Sequence, residues 1–470
     1  MRMRRMTETH WNRRARAPRR LAAGSAVVVS LATVLAAGCG SSSGSSGSSG
    51  TTKLSGQTIT VFTQAPTGTG AAEYKTYYAY IAKLFHQQTG STVKWQYSNS
   101  GTQLAQTIES SVATHSGPDI FSVGSSYNGT VYGTHSFHVF TAADWAKLGG
   151  QAAFQPKMLT MAGPSASQDI GVPFESIPFV LAYNTKILAK AGIKNPPTTW
   201  TQWVSDAQAI QKAEPGVSGA SFSPQDPYGP WKPVWSYALQ SGGNFTNAAG
   251  TKATLTSPQV QAGLKFYFEQ EYKYHIVPQA DLTWQAAQET SAFLAGKTGM
   301  LAEATYELKP EMAGTPVASD VAFAPMPNVP YGMTARPAGG QAAESIVSGN
   351  YYDIASYTKN VPLDLAFIKA ATSTQTQLEQ FKIFGWMPVT QAGIAAVEHA
   401  SSAAVPFIQA EQGSTPTSFT PAWSYIEDGI LAVIAHIAQQ LATGQGYSDS
   451  YALSQLQAEN ATVQAHLTNS

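Results

Sequence analysis

The sequence predicts an α/β fold built as two lobes. Two observations carry this: the folded part opens with strand, helix, strand, and the roughly 415 residues beyond a Ser/Gly-rich segment are too many for one hydrophobic core. Gln57 to Thr63 alternates β-branched with polar residues and reads as a strand. Glu73 to Gln88 sets Tyr74, Tyr77, Ile81, Leu84 and Phe85 on one helical stripe, and Gly90 follows as the stop. Val93 to Tyr97 is the next strand, completing the unit of a parallel sheet. Farther on, Ser257-Pro258 offers a helix N-cap followed by proline, with Val260, Leu264, Tyr267 and Phe268 as that helix's apolar face. No internal repeat interrupts this grammar. In an open α/β sheet a ligand binds beyond the carboxyl ends of the strands, so the segments just after strands hold the candidate site.

Ahead of the folded part, Arg13, Arg14, Arg16, Arg19 and Arg20 precede an uncharged run from Leu21 to Ala37. A basic stretch, an apolar stretch and small residues before a cut make a secretory signal over residues 1–38. A retained membrane anchor is the alternative, because the run approaches the ~20 residues a spanning helix needs. Leu35-Ala36-Ala37-Gly38-Cys39 resembles the bacterial lipoprotein signal, with Ala36 where leucine is usual. The resemblance implies cleavage before Cys39 and a diacylglyceryl group on its thiol. An exported chain with one cysteine forms no internal disulfide, and a lipid anchor gives that thiol a use. Residues 39–55 are then the lipidated cysteine and a Ser/Gly tether reaching ~20 Å.

Cleavage would also change the charge. Eight of the nine arginines precede Leu21, leaving Arg336 and the lysines, 20 basic groups against 27 acidic ones, a formal charge of −7. That excludes a nucleic-acid footprint and argues against phosphate or carboxylate ligands, which favour arginine forks.

Five segments in order carry a family resemblance: Phe85 to Tyr97, Gly117 to Tyr127, Val172 to Trp203, Ser291 to Leu308 and Leu363 to Pro388. The most specific is the third, with Tyr183-Asn184, Ala191-Gly192 and Pro197-Thr198-Thr199-Trp200. Together they resemble the family 1 extracellular solute-binding proteins of ABC importers, the group that includes maltose-binding proteins. The resemblance implies a periplasmic-binding-protein-like fold, two α/β lobes with several hinge crossings and a ligand cleft between them. It places the first lobe at 56–172 and 326–384 and the second at 173–325 and 385–470. Crossings are expected near Gly171–Phe179, Val321–Pro327 and Gly385–Pro388, where Pro173, Pro178, Pro325, Pro327 and Pro388 favour extended backbone. A sugar ligand, a membrane permease of the ABC type as partner, a monomeric state and no cofactor follow from the same resemblance.

Sugars present an apolar face and a rim of hydroxyls, so aromatic rings beside amides, hydroxyls or carboxylates mark their sites. Trp231 and Trp235 sit at a proline-marked helix start and are either cleft rings or core anchors of that helix. Tyr306 occupies the place where the family usually carries tryptophan. Aromatics near strand ends, hydroxyl- and amide-rich loops and the single arginine beyond the leader predict a neutral carbohydrate stacked on Trp231 and Tyr306. Ser125, Ser126, Tyr127 and Asn128 follow a strand, although Asn128-Gly129 also makes an ordinary turn. Gln64 begins the equivalent loop of the first lobe. Gly339 and Gly340 allow close backbone approach to a ligand or to any tight turn. Glu175 and Trp386 fall at expected crossings, where hinge packing and ligand contact are both open.

Catalytic and metal chemistry find little support. His135 and His138 lack a third ligand at suitable spacing, and no nucleophile-elbow, zinc-protease or phosphate-loop motif occurs. Glu303 and Glu307 could pair for glycoside hydrolysis, but read more simply as first-turn charges of a helix. The rival readings are the same fold with an anion, polyamine or metal-complex ligand, and a secreted sugar-active enzyme or sensor subunit.

Overall fold

The computed structural model describes residues 54–65 and 71–469. The expected signal segment, Cys39 and most of the tether lie outside the described residues, as does the loop beyond Ala65. Among the described residues no helix is long and apolar enough to cross a membrane.

Two sheets organise the chain. The first contains β1 (Thr58–Gln64), β2 (Thr92–Ser98), β3 (Ile120–Gly124), β4 (Gly171–Ser176) and a late strand, β9 (Gly349–Ile354), in the order β2-β1-β3-β9-β4. The opening unit is as predicted: β1 and β2 run parallel, Val61 opposite Trp95, with the helix Ala71–Thr89 between them in sequence. That helix buries Tyr77, Tyr78, Ile81 and Phe85, close to the stripe read from the sequence. β9 inserts antiparallel between β3 and β4, so the sheet is mixed.

The second sheet contains β5 (Val180–Asn184), β6 (Ser218–Ala220), β7 (Thr298–Ala304) and β8 (Val321–Ala324), in the order β6-β7-β5-β8. β6 and β7 are parallel. Local chemistry sets the helix starts around it. Asn184 accepts from the amides of Lys186 and Ile187, and Ser257 from that of Val260 ahead of the helix Pro258–Tyr272. Each cap satisfies donors that the first helical turn would otherwise leave unpaired.

Each sheet has its own core. Ile81, Phe85, Ile120, Tyr351, Tyr352 and Phe367 pack under the first. Trp203, Trp235, Phe268 and Trp423 anchor one face of the second, and Val180, Leu301, Met387 and Phe407 the other. The helix Trp423–Ala442, the last but one, joins the core of Trp203 and Trp235 through Trp423, Ile426, Ile430, Val433 and Ile434.

Three connections join the sheets, and they lie side by side. Ser176 at the end of β4 exchanges two backbone hydrogen bonds with Met387, 3.0 and 2.8 Å, and the Ile177 amide donates to the Ser348 carbonyl at 2.9 Å. The chain leaves the first sheet after Ser176, not at residue 173, because β4 stays paired with β9 to that point. The second crossing also lies later than Val321–Pro327. Met326, Ala343 and Ile346 remain in the second core, and the first is regained at Val347. A buried amide explains this: Gln240 Nε2 donates to the carbonyls of Pro327 and Ala342, 3.1 and 3.2 Å, tying residues 327–342 to the helix Trp231–Gln240.

Gly349 permits this close passage. Its φ of +153° and its position against the Glu175 carbonyl leave no room for a Cβ. Gly349→Ala is therefore expected to destabilise the protein by more than about 1 kcal/mol. Denaturant unfolding checks this, and an unchanged midpoint would show that the connections tolerate separation.

Candidate solute-binding cleft

The carboxyl ends of the parallel strands β6 and β7 open into a cavity of about 310 Å³. The loop from Ser221 to Asp226 follows β6, the start of the helix Trp231–Gln240 gives Lys232, and the end of β7 gives Glu303. Glu289 comes from the helix Ala286–Leu294, Glu307 and Glu311 from the turn after β7, and Phe179 from the first connection. This is where an open α/β sheet places a ligand.

A second wall comes from the first sheet. Gln64 at the end of β1, Tyr74 and Tyr77 of the following helix, Glu175 of β4, Asn350 of β9 and Trp386 surround a narrower recess. Trp386 stacks on Phe384 with ring centres 4.2 Å apart and meets Tyr74 edge-on at 5.8 Å. Its indole Nε1 donates to Glu307 Oε1 at 2.6 Å, so one hydrogen bond ties the two walls together.

The cavity wall is acidic. Ser223 donates to Glu289 Oε2 at 2.6 Å, the amides of Tyr228 and Gly229 to Asp226 Oδ1, each at 2.9 Å, and Thr305 to Glu307 Oε2 at 3.2 Å. The Glu303 carboxyl accepts no hydrogen bond among the described residues, and its backbone sits at φ +54°, uncommon for any residue but glycine. Burial raises the Glu303 carboxyl to about 8, offset in part by Lys232, with the Glu289 charge pushing the same way. Burial likewise raises Glu289 to about 7, and Glu175 in the opposite wall to about 8.

Of the residues singled out from the sequence, Gln64, Glu175 and Trp386 line the recess, and Glu303 and Glu307 line the acidic cavity. Others are turned into packing. Trp231 is 2 % exposed and meets Trp235 and Trp423 edge-on, at 6.2 and 5.9 Å. Trp235 is fully buried, with its indole nitrogen donating to Asn244. Helical periodicity puts both rings on one face with Val234 and Ala238, and that face belongs to the core. Tyr306 wedges between Phe381 and Phe407 with its hydroxyl on Ser401, because the third connection passes at Gly385, where a Cβ would lie 2.6 Å from its ring.

The loop after β3 turns inward as well. Ser125 donates to the Val347 carbonyl and Asn128 to that of Met161, both buried. Ser126 is half-buried near Glu427, and Tyr127 packs beside Phe121 and Val131. Gly340 abuts the Gln240 carbonyl and Gly339 has φ +82°, so both serve the turn that ties down residues 337–341.

Sequence reasoning missed Glu289, Lys232 and Phe179. It also misread Glu303 as a first-turn charge of a helix, whereas it lies near the end of the strand β7. The available signal was position: Glu303 is the first carboxylate after the apolar run of β7, where strand ends face a ligand. Among the described residues no group of three His, Cys, Asp or Glu could hold a metal ion.

A sequence profile of the bacterial extracellular solute-binding proteins matches residues 67–378. The chain belongs to that family. A diacetylchitobiose-binding protein of Streptomyces coelicolor is 24% identical over 425 residues, covering 87% of this solute-binding protein and 91% of its relative. Among solved structures, a maltose-bound MalE3 of T. maritima matches with a TM-score of 0.70 at 20% identity, covering 87% of this chain and all of that one. The sugar-binding protein MalE of Xanthomonas citri matches with a TM-score of 0.71 at 16% identity, covering 87% and 98%. These likenesses establish a two-lobe fold.

The raised carboxyls give a pH signature to the ligand-free protein. Glu303 holds its proton more tightly folded than unfolded, so its contribution to stability is fully present below its ordinary value near 4.5 and is lost as pH rises through about 8. Glu303→Gln should therefore flatten the decline in melting temperature between pH 6 and pH 9. Parallel curves for wild type and variant in calorimetry would rule this out.

Proposed function

We propose that this solute-binding protein captures a saccharide between its two walls and hands it to the membrane subunits of an ABC importer, acting by closure and not by catalysis. The observation that carries the reading is the composition of the cleft. Rings of Trp386, Tyr74 and Phe179 stand beside the amides of Gln64 and Asn350 and the carboxyls of Glu175, Glu289 and Glu303. Rings cover the apolar face of a sugar while amides and carboxyls bind its hydroxyl rim. The diacetylchitobiose and maltose in the names of related proteins support the same class. A ligand touching both walls shifts the population toward closure by its differential affinity for that state.

The leader supports delivery at the outer face of a membrane, with Cys39 lipidated and the chain tethered as a monomer by its Ser/Gly segment. Cys39→Ser should leave a product free of lipid label and released from membranes. A variant that still takes the label would disprove this anchor.

Ligand class is read by thermal shift with sugars, phosphates, polyamines and ferric chelates side by side. A ligand of the native state alone adds about 2.7 kcal/mol at a hundredfold excess over Kd. Saccharides should raise the melting temperature, and Trp386→Ala should cost about 1–3 kcal/mol of binding, the range for stacking on an aromatic ring. The saccharide reading is falsified if only an anion or a chelate stabilises the protein.

A further inference from the structure

The geometry points to a saccharide bearing a protonated primary amine, with the ammonium group seated among Glu303, Glu289 and Asp226. This rests on the saccharide reading of the same cleft and specifies which saccharide the cavity favours.

Five carboxyls line one cavity: Asp226, Glu289, Glu303, Glu307 and Glu311. Among the described residues none of them has a lysine, arginine or histidine nitrogen within 4.0 Å, although six such pairs occur elsewhere. Lys232, the one cation of the lining, is otherwise engaged. Its Nζ donates to the Tyr228 carbonyl at 3.1 Å and lies over the rings of Phe179 and Trp231, 5.0 and 5.6 Å from their centres. Its field also serves Glu427, a buried carboxyl beside Trp423 and Ser126. The acidic wall is thus left without a contact counterion.

Two groups in the cavity, one of those carboxyls and a hydroxyl, lack hydrogen-bond partners among the described residues. Glu303 projects from the end of β7 with no hydrogen bond to its carboxyl. The Ser221 hydroxyl, 4 % exposed and lining the same space, has no hydrogen bond of good geometry, though it lies near enough to Glu289 to hold that carboxyl down. Glu303 is half-buried and Ser221 buried, and a buried hydroxyl left idle is costly unless a ligand completes it.

Charge decides which ligand does so. The carboxyls burden one another: Glu289 is pushed up by Asp226, Glu303 by Glu289, and Glu311 by Glu307. A neutral sugar can exchange hydrogen bonds with one or two of them but supplies no charge to offset the cost of ionising them side by side. An ammonium group donates three hydrogen bonds and also cancels the charge, and a cation within ~4–6 Å favours the ionised carboxylate. Phosphorylated or acidic sugars meet the opposite sign. A flexible polyamine satisfies the acids but leaves the rings of Phe179 and Trp386 unused.

Three disaccharides with one β-1,4-linked skeleton separate these cases: chitobiose with free amines, N,N′-diacetylchitobiose, and cellobiose, with spermidine as a fourth probe. Titration calorimetry on the purified chain at pH 6.5 should find chitobiose binding at least tenfold tighter than cellobiose. Because Glu303 and Glu289 rest largely protonated there and ionise beside the ammonium, binding in buffers of differing ionisation enthalpy should release protons. Glu303→Gln should cut the preference for chitobiose to less than threefold. Should that variant not fold, proton release by the wild type still decides.

Cellobiose or the diacetyl sugar binding as tightly as chitobiose, or chitobiose binding with no proton released, overturns the amine proposal while the saccharide reading stands. Spermidine binding with no saccharide bound overturns both.

Discussion

The structure depends on three strands of chain passing each other between two sheets. Ser176 exchanges backbone hydrogen bonds with Met387, and Ile177 reaches Ser348, so the three connections act as one narrow band. The band is anchored from the second lobe, where the Ser176 hydroxyl donates to the buried Glu411 of the helix Val405–Gln412. From the first lobe it is anchored by Asn350, whose amide donates to Glu175. Side-by-side connections of this kind absorb torsion in a few residues while each core moves as a unit. Glu175 near the end of β4 and Trp386 beside Met387 face the cleft from positions set by this band.

The cleft therefore has two unlike walls. One is aromatic and amide-bearing, built on the helix after β1 and closed by Trp386. The other is carboxyl-rich and open at the ends of β6 and β7. Their meeting point is the hydrogen bond from Trp386 to Glu307, which holds a charged residue of one lobe against a stacked ring of the other. A group that competes for Glu307 acts on both the acidic cavity and the contact that keeps the walls together.

Aromatic rings proved a poor guide to this cleft, and the reason is physical. Trp231, Trp235 and Tyr306 are large enough to fill a core, and burying such a ring stabilises the fold whether or not a ligand exists. Each found a partner set inside the protein: Trp423 and Asn244 for the tryptophans, Phe381, Phe407 and Ser401 for Tyr306. A carboxylate gains nothing from such packing and must be held for some other purpose. The residues that mark the cavity are for that reason Glu289 and Glu303, not the tryptophans.

By itself the sequence determined the local grammar. Alternation and helical stripes are set by residues near one another in the chain, so the parallel β1-β2 unit, the cap at Ser257 and the family segments were legible without coordinates. The direction in which a side chain points across the fold was not. Gln240 ties down residues 327–342, and β9, made long after both, inserts between β3 and β4. Glu303 accepts no hydrogen bond among the described residues because Lys232, whose charge it feels, is turned to the Tyr228 carbonyl. These outcomes arise from contacts between segments remote in sequence, and such contacts exist only once the chain has folded.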